Sequence, residues 1–135
     1  MKSILKLEKI AIHARTMAYA PYSRFAVGVA LQSADGIVFT GCNIENISFG
    51  LTLCAERSAV AAAVAAGVRK FKRIVVVADS VNPVTPCGAC RQVLAEFSDG
   101  MEVICANLEG RRFRTRLSKL FPRAKVGILD KQRST

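Results

Sequence analysis

Residues 74–78 read Ile-Val-Val-Val-Ala, a run without a polar position. A strand with apolar side chains on both sides has to be covered on both faces. That requirement commits the chain to a layered fold with this strand at its centre. The covering layers are legible on either side. Residues 54–66 are alanine-rich, unbroken and end at Gly67, which predicts a helix. Pro86 opens a second helix through about Phe97. Residues 3–19 place Ile4, Leu7, Ala11, Ala14 and Ala18 at helical spacing, with Ser3 as N-cap and Pro21 as the stop.

The remaining strands are shorter. Residues 26–32 and 37–42 flank Ser33-Ala34-Asp35-Gly36, whose Asp-Gly pair supplies the positive backbone angles of a tight hairpin. The two are expected to be antiparallel neighbours, and residues 43–53 to form a loop. Residues 102–106 and, beyond Asn107-Leu108-Glu109-Gly110, residues 112–116 complete the set. Strands interleaved with helices fit an α/β fold of helices on a mixed sheet, not a bundle. At 135 residues the expectation is a single domain over 1–135, with a flexible tail from about 126. No apolar run approaches the roughly 20 residues of a membrane span. The amino end alternates apolar and charged residues, so the chain is expected to be cytoplasmic and unprocessed.

Chemistry concentrates in Leu53-Cys54-Ala55-Glu56-Arg57 and Pro86-Cys87-Gly88-Ala89-Cys90-Arg91-Gln92. In a cytosolic chain with five cysteines, a Cys-x-x-Cys points to metal or redox chemistry before disulfides. Cys54, Cys87 and Cys90 offer three thiolates, and Glu56 adds a carboxylate two residues from a ligand. Three ligands and an open position describe a catalytic zinc, whereas a structural zinc closes its shell with four. Helix starts at Cys54 and Cys87 would aim free N–H groups at one spot and favour thiolates there. Three thiolates leave a zinc ion with about one net negative charge, so a cation is needed nearby. Arg57 and Arg91 are placed to donate to the sulfurs. Cys42 and Cys105 read as small buried hydrophobes, and His13, in the first helix, as structural or exposed.

The net charge is +10. Arg111, Arg112, Arg114, Arg116, Lys119, Arg123 and Lys125 crowd the last quarter, and Arg69, Lys70, Lys72 and Arg73 form a second group. Such clusters can track a phosphate backbone. Without interleaved aromatics to stack bases, a solvated basic face is the preferred reading, with nucleic-acid association as the alternative.

The two cysteine segments, 33 positions apart (87 minus 54), resemble the zinc-dependent nucleoside deaminases, specifically the small three-cysteine cytidine deaminases. Ala20-Pro21-Tyr22-Ser23-Arg24-Phe25-Ala26-Val27-Gly28 and Gly41-Cys42-Asn43-Ile44-Glu45-Asn46 also look like that family, so the likeness covers about residues 15–122. The resemblance implies a three-layer α/β/α fold with a five-stranded mixed sheet and one Zn²⁺ per chain at the N-termini of two helices. It implies hydrolytic deamination of cytidine or deoxycytidine in pyrimidine salvage, by zinc-bound hydroxide attack at C4 with Glu56 shuttling the proton. Asn43 and Glu45 would bind the sugar 3′-hydroxyl, Phe25 would lie against the base, and the Ala55 N–H would meet the base carbonyl. The Thr85 carbonyl would accept from the amine. The family implies a homotetramer with sites near subunit interfaces, and Ile47 and Phe49 as neighbour contacts. Two departures bear on substrate fit: Phe49 stands where a tyrosine is common, and Lys125 follows Phe121-Pro122-Arg123-Ala124 where an aromatic lid is common. A modified cytosine nucleoside, such as a nucleoside antibiotic, is therefore an alternative substrate.

Overall fold

The computed structural model describes residues 1–126, so the tail expected from about 126 lies almost wholly outside the described residues. Helix α1 spans Lys2–Arg15, followed by β1 (Val27–Ser33), β2 (Val38–Cys42), a 3-10 turn at Phe49–Leu51, and α2 (Ala55–Ala65). Then come β3 (Phe71–Ala78), α3 (Gly88–Phe97), β4 (Glu102–Ala106), β5 (Arg112–Arg116) and a one-turn α4 (Leu117–Leu120). The strands form one five-stranded sheet in the order β2-β1-β3-β4-β5. The apolar run lies in β3, the middle strand, with Ile74 to Ala78 at 0–2 % exposure.

Alternation along the strands sorts the core into two layers. Val29, Leu31, Ile74, Val76, Val103 and Cys105 pack under α2 and α3. Ala30, Val75, Val77, Ile104 and Ala106 pack under Ile4, Leu7 and Ala11 of α1. Each fully buried aliphatic side chain contributes about 1.5–3 kcal/mol, so both faces hold the sheet. The result is the expected α/β/α sandwich.

β1 pairs antiparallel with both β2 and β3, and β3 pairs parallel with β4. Strands β2, β3 and β4 therefore run the same way and end at one edge of the sheet. Residues 43–54 lead from that edge to α2, and residues 79–87 lead from it to α3. This topology brings the starts of both helices together.

Local differences from expectation have physical causes. Within the 33–36 turn only Gly36, at φ 92°, adopts a positive angle; Asp35 does not. Ser3 does not cap α1, because Met1 is the cap residue and no side-chain cap bond forms. The first helix stops at Arg15, short of 19. Tyr19 instead donates its N–H to Asn43 O at 3.0 Å and accepts from Glu45 N at 2.8 Å. Long-range backbone pairing thus takes the residues that periodicity assigned to a helix. Part of the basic charge is paired internally: Arg112 pairs with Glu8, and Arg73 and Arg114 share Glu102.

Candidate functional site

Cys54 and Cys87 are the N-cap residues of α2 and α3, both in extended backbone conformation. α3 begins at Gly88, two residues after Pro86, because Cys87 is held at ψ 172°. Cys90 lies in the first turn of α3 and is fully buried. The Cys54 and Cys87 sulfurs are 4.0 Å apart, those of Cys87 and Cys90 3.5 Å, and all three lie within 4.8 Å of one another. A tetrahedral zinc with bonds of about 2.3 Å requires sulfur separations of about 3.8 Å. The three thiols, none in a disulfide, therefore fit one zinc ion.

Burial and the nearby Glu56 carboxylate push Cys90 up strongly. Burial also raises Cys87, but hydrogen bonds led by the Cys90 N–H outweigh it and leave that thiol below its ordinary value. Arg57 Nη2 donates to Cys54 Sγ at 3.4 Å and to Thr52 O at 3.3 Å, and the thiol bond holds its charge in place. Arg91 does not meet the sulfurs. Its donors go to Pro86 O, Leu120 O and Thr85 Oγ1. Oxygen is a much stronger acceptor than sulfur, and three oxygens lie within its reach.

Beside the thiols is a cavity of about 230 Å³ whose lining includes Phe25, Asn43, Glu45, Cys54, Ala55, Glu56 and Cys87. Glu56, in the first turn of α2, is 6 % exposed, and burial raises its pKa despite its own backbone N–H and the charge of Arg57. Ala55 opens α2, so its N–H belongs to the helix start that lacks intrahelical partners. No lysine or arginine lines this cavity among the described residues.

Ser23, Phe25, Val27, Asn43 and Glu45, also in the lining, belong to a hydrogen-bonded clasp. Asn43 Oδ1 accepts from Val27 N and its Nδ2 donates to Phe25 O, both at 2.8 Å. Glu45 Oε1 accepts from Tyr22 N at 2.9 Å and Ser23 N at 3.1 Å, and Oε2 accepts from the Ser23 hydroxyl. Ser23 Oγ in turn accepts from Phe25 N at 3.0 Å. Ser23 thus joins the ring-bearing Phe25 to the carboxylate. Sequence reasoning gave Ser23 no role; its one signal was its place in the Ala20 to Gly28 segment.

The Ser23 hydroxyl is the main reason Glu45 titrates below the ordinary carboxylate range. A depressed pKa keeps the anion as pH falls, and what the anion holds is lost only below that value. Acidification should therefore raise KM at a higher pH in Ser23→Ala than in the unaltered protein. Superimposable KM–pH curves would contradict this role.

His13 is exposed in α1 and takes no part in the site. Cys105 is buried, its thiol pushed up to about 12 by burial and then by Glu56, while Cys42 is half-buried. Ile47 and Phe49 lie outside the cavity, 79 % and 74 % exposed, with Phe49 edge-on to Tyr22 at 6.0 Å.

Residues 1–106 match the family model for the cytidine and deoxycytidylate deaminase zinc-binding region. The cytidine deaminase of Sporosarcina psychrophila is 54 % identical over 112 residues, covering 82 % of each chain. That of Halalkalibacterium halodurans is 52 % identical over 119 residues, covering 87 % of this chain and 90 % of its own. The crystal structure of the cytidine deaminase from Burkholderia pseudomallei superposes with a TM-score of 0.86 at 48 % identity, over 88 % of this chain and 96 % of that one.

Proposed function

The chain belongs to the cytidine and deoxycytidylate deaminases and is a zinc-dependent enzyme that deaminates cytidine; we propose that its substrate is the free nucleoside, with Glu56 as proton carrier. The observation that carries this reading is the buried Glu56 carboxyl in one cavity with Cys54 and Cys87, two of the three clustered thiols. Cys54, Cys87 and Cys90 hold the metal, which when bound supplies a Lewis acid that activates water at neutral pH. Glu56 takes the proton from the attacking water and delivers it to N3 of the base. It then takes the proton of the new C4 hydroxyl and gives it to the departing amine as the C4–N bond breaks and the C4 carbonyl forms, so that cytidine and water yield uridine and ammonia. Burial raises the Glu56 pKa above the ordinary carboxylate value, which makes it a stronger proton acceptor. Arg57 offsets the thiolate charge.

Asn43 and Glu45 bind the sugar hydroxyl, and Phe25 lies against the base. The clasp leaves Glu45 with free acceptor capacity only on Oε2, which accepts one bond from Ser23, since two backbone donors already occupy Oε1. A lining with two carboxylates and, among the described residues, no cation disfavours a phosphate. The exposed Ile47 and Phe49 support a neighbour contact in a homotetramer.

The test is loss of absorbance on mixing zinc-loaded protein with cytidine, deoxycytidine and cytidine monophosphate. Both nucleosides should be turned over, and the monophosphate should show at least about tenfold lower kcat/KM. Equal use of the monophosphate would remove the free-nucleoside reading. Inertness toward every cytosine nucleoside would remove the assignment of Glu56 and its cavity.

A further inference from the structure

Val84 and Thr85 line the cavity next to Cys87, in a segment, residues 83–86, that belongs to no helix or strand. Pro83 and Pro86 have no N–H to offer. Among the described residues, the hydrogen bonds this segment makes within the protein are with one side chain. Arg91 donates from Nε to Pro86 O at 2.7 Å and from Nη2 to Thr85 Oγ1 at 3.0 Å. Its third arm, Nη1, donates to Leu120 O at 2.8 Å, a carbonyl at the end of α4 with no intrahelical partner. α4 is anchored independently, through buried Leu117 and the bond from Leu117 N to Met101 O at 2.9 Å.

We propose that Arg91 is a positioning residue for deamination, its guanidinium tying Thr85 of the cavity wall and the adjacent Pro86 to the docked α4. A planar fork suits this task, because its donors point in fixed, divergent directions. Lysine has one nitrogen and cannot span the three acceptors. The consequence is that the carboxyl-terminal part of the fold, beyond β5, sets the wall against which the reacting base is held. Displacing that wall by about 1 Å is enough to cost about 100-fold in rate.

The inference rests on the reading of this cavity as the deamination site, and the experiment separates the two. Zinc-loaded unaltered protein, Arg91→Ala, Thr85→Val and the double variant are compared on cytidine, with zinc content and thermal midpoint measured alongside. Arg91→Ala should lower kcat by about 30- to 100-fold, with KM within about threefold and close to one zinc per chain. Thr85→Val removes one arm and should lower kcat by about fivefold. The double variant should be no slower than Arg91→Ala, because both changes break one network. Added guanidinium should restore part of the Arg91→Ala rate and leave Thr85→Val unchanged. Unaltered kcat in Arg91→Ala, or multiplicative losses in the double variant, overturns the proposal. A loss in Arg91→Ala that extra zinc fully repairs also overturns it. If Arg91→Ala does not fold, Thr85→Val decides, and a normal kcat there overturns it. Absence of turnover by the unaltered protein instead overturns the functional reading itself.

Discussion

Glu56→Gln is expected to lower kcat on cytidine by at least about 1,000-fold while zinc stays near one per chain. Glutamine keeps the length and much of the hydrogen-bonding shape of glutamate but cannot carry a proton, so the change removes the chemistry and spares the cavity. Glu56 is also a carboxyl whose pKa burial has raised. Such a group opposes folding at pH values above its unfolded-state pKa, where the folded protein must retain a buried charge or take up a proton. Its neutral replacement should leave the thermal midpoint equal or higher, which distinguishes lost catalysis from lost structure. Metal analysis, melting and steady-state kinetics on one preparation decide it. A variant that deaminates within about tenfold of the unaltered rate would remove Glu56 from the proton path.

Gly41→Ala should damage stability and activity together. Gly41 lies in β2 directly beneath the start of α2, and a Cβ built there would meet Ala55 O at 2.3 Å and Ala59 N at 2.6 Å. Both are backbone atoms of the helix, so no side chain can swing away and α2 must move. Overpacking of this kind costs about 1–3 kcal/mol, which thermal melting resolves. The displaced residues include Cys54 and Glu56, on either side of Ala55, so kcat should fall by about 100-fold and zinc should bind more weakly. Gly100→Ala is the control, since nothing lies within 4 Å of its added Cβ. If Gly41→Ala melts and turns over like Gly100→Ala, the close approach of β2 to α2 does not position the site.

Where local chemistry determined structure, the sequence was easy to read. β4 and β5 occupy the residues that apolar pattern and the intervening turn assigned to them. The three cysteines converge because each bracket of helix follows a strand ending at the same edge. Arg57 reached Cys54 because residues three apart on a helix share a face. Long-range partners were harder to foresee. α4 is a single turn, too short for periodicity to register, and it holds one of the acceptors that draw Arg91 away from the sulfurs. Tyr19 looked helical in isolation, but its partners Asn43 and Glu45 lie more than twenty residues downstream. Ser23 acquires meaning only once Glu45 is folded against it.

The clasp between residues 19–27 and 43–45 divides the labour of the enzyme along the chain. The side-chain bonds of Ser23, Asn43 and Glu45 close among the clasp's own residues, the Ile44–Leu53 backbone pair joins it to the segment before Cys54, and the thiols, Glu56 and Arg91 all come from residues 54–91. In the proposed mechanism, sugar binding and bond breaking are therefore assigned to separate stretches of polypeptide. A library confined to residues 22–25 and 45 would test new nucleosides while leaving Gly41, the thiols, Glu56 and Arg91 unaltered.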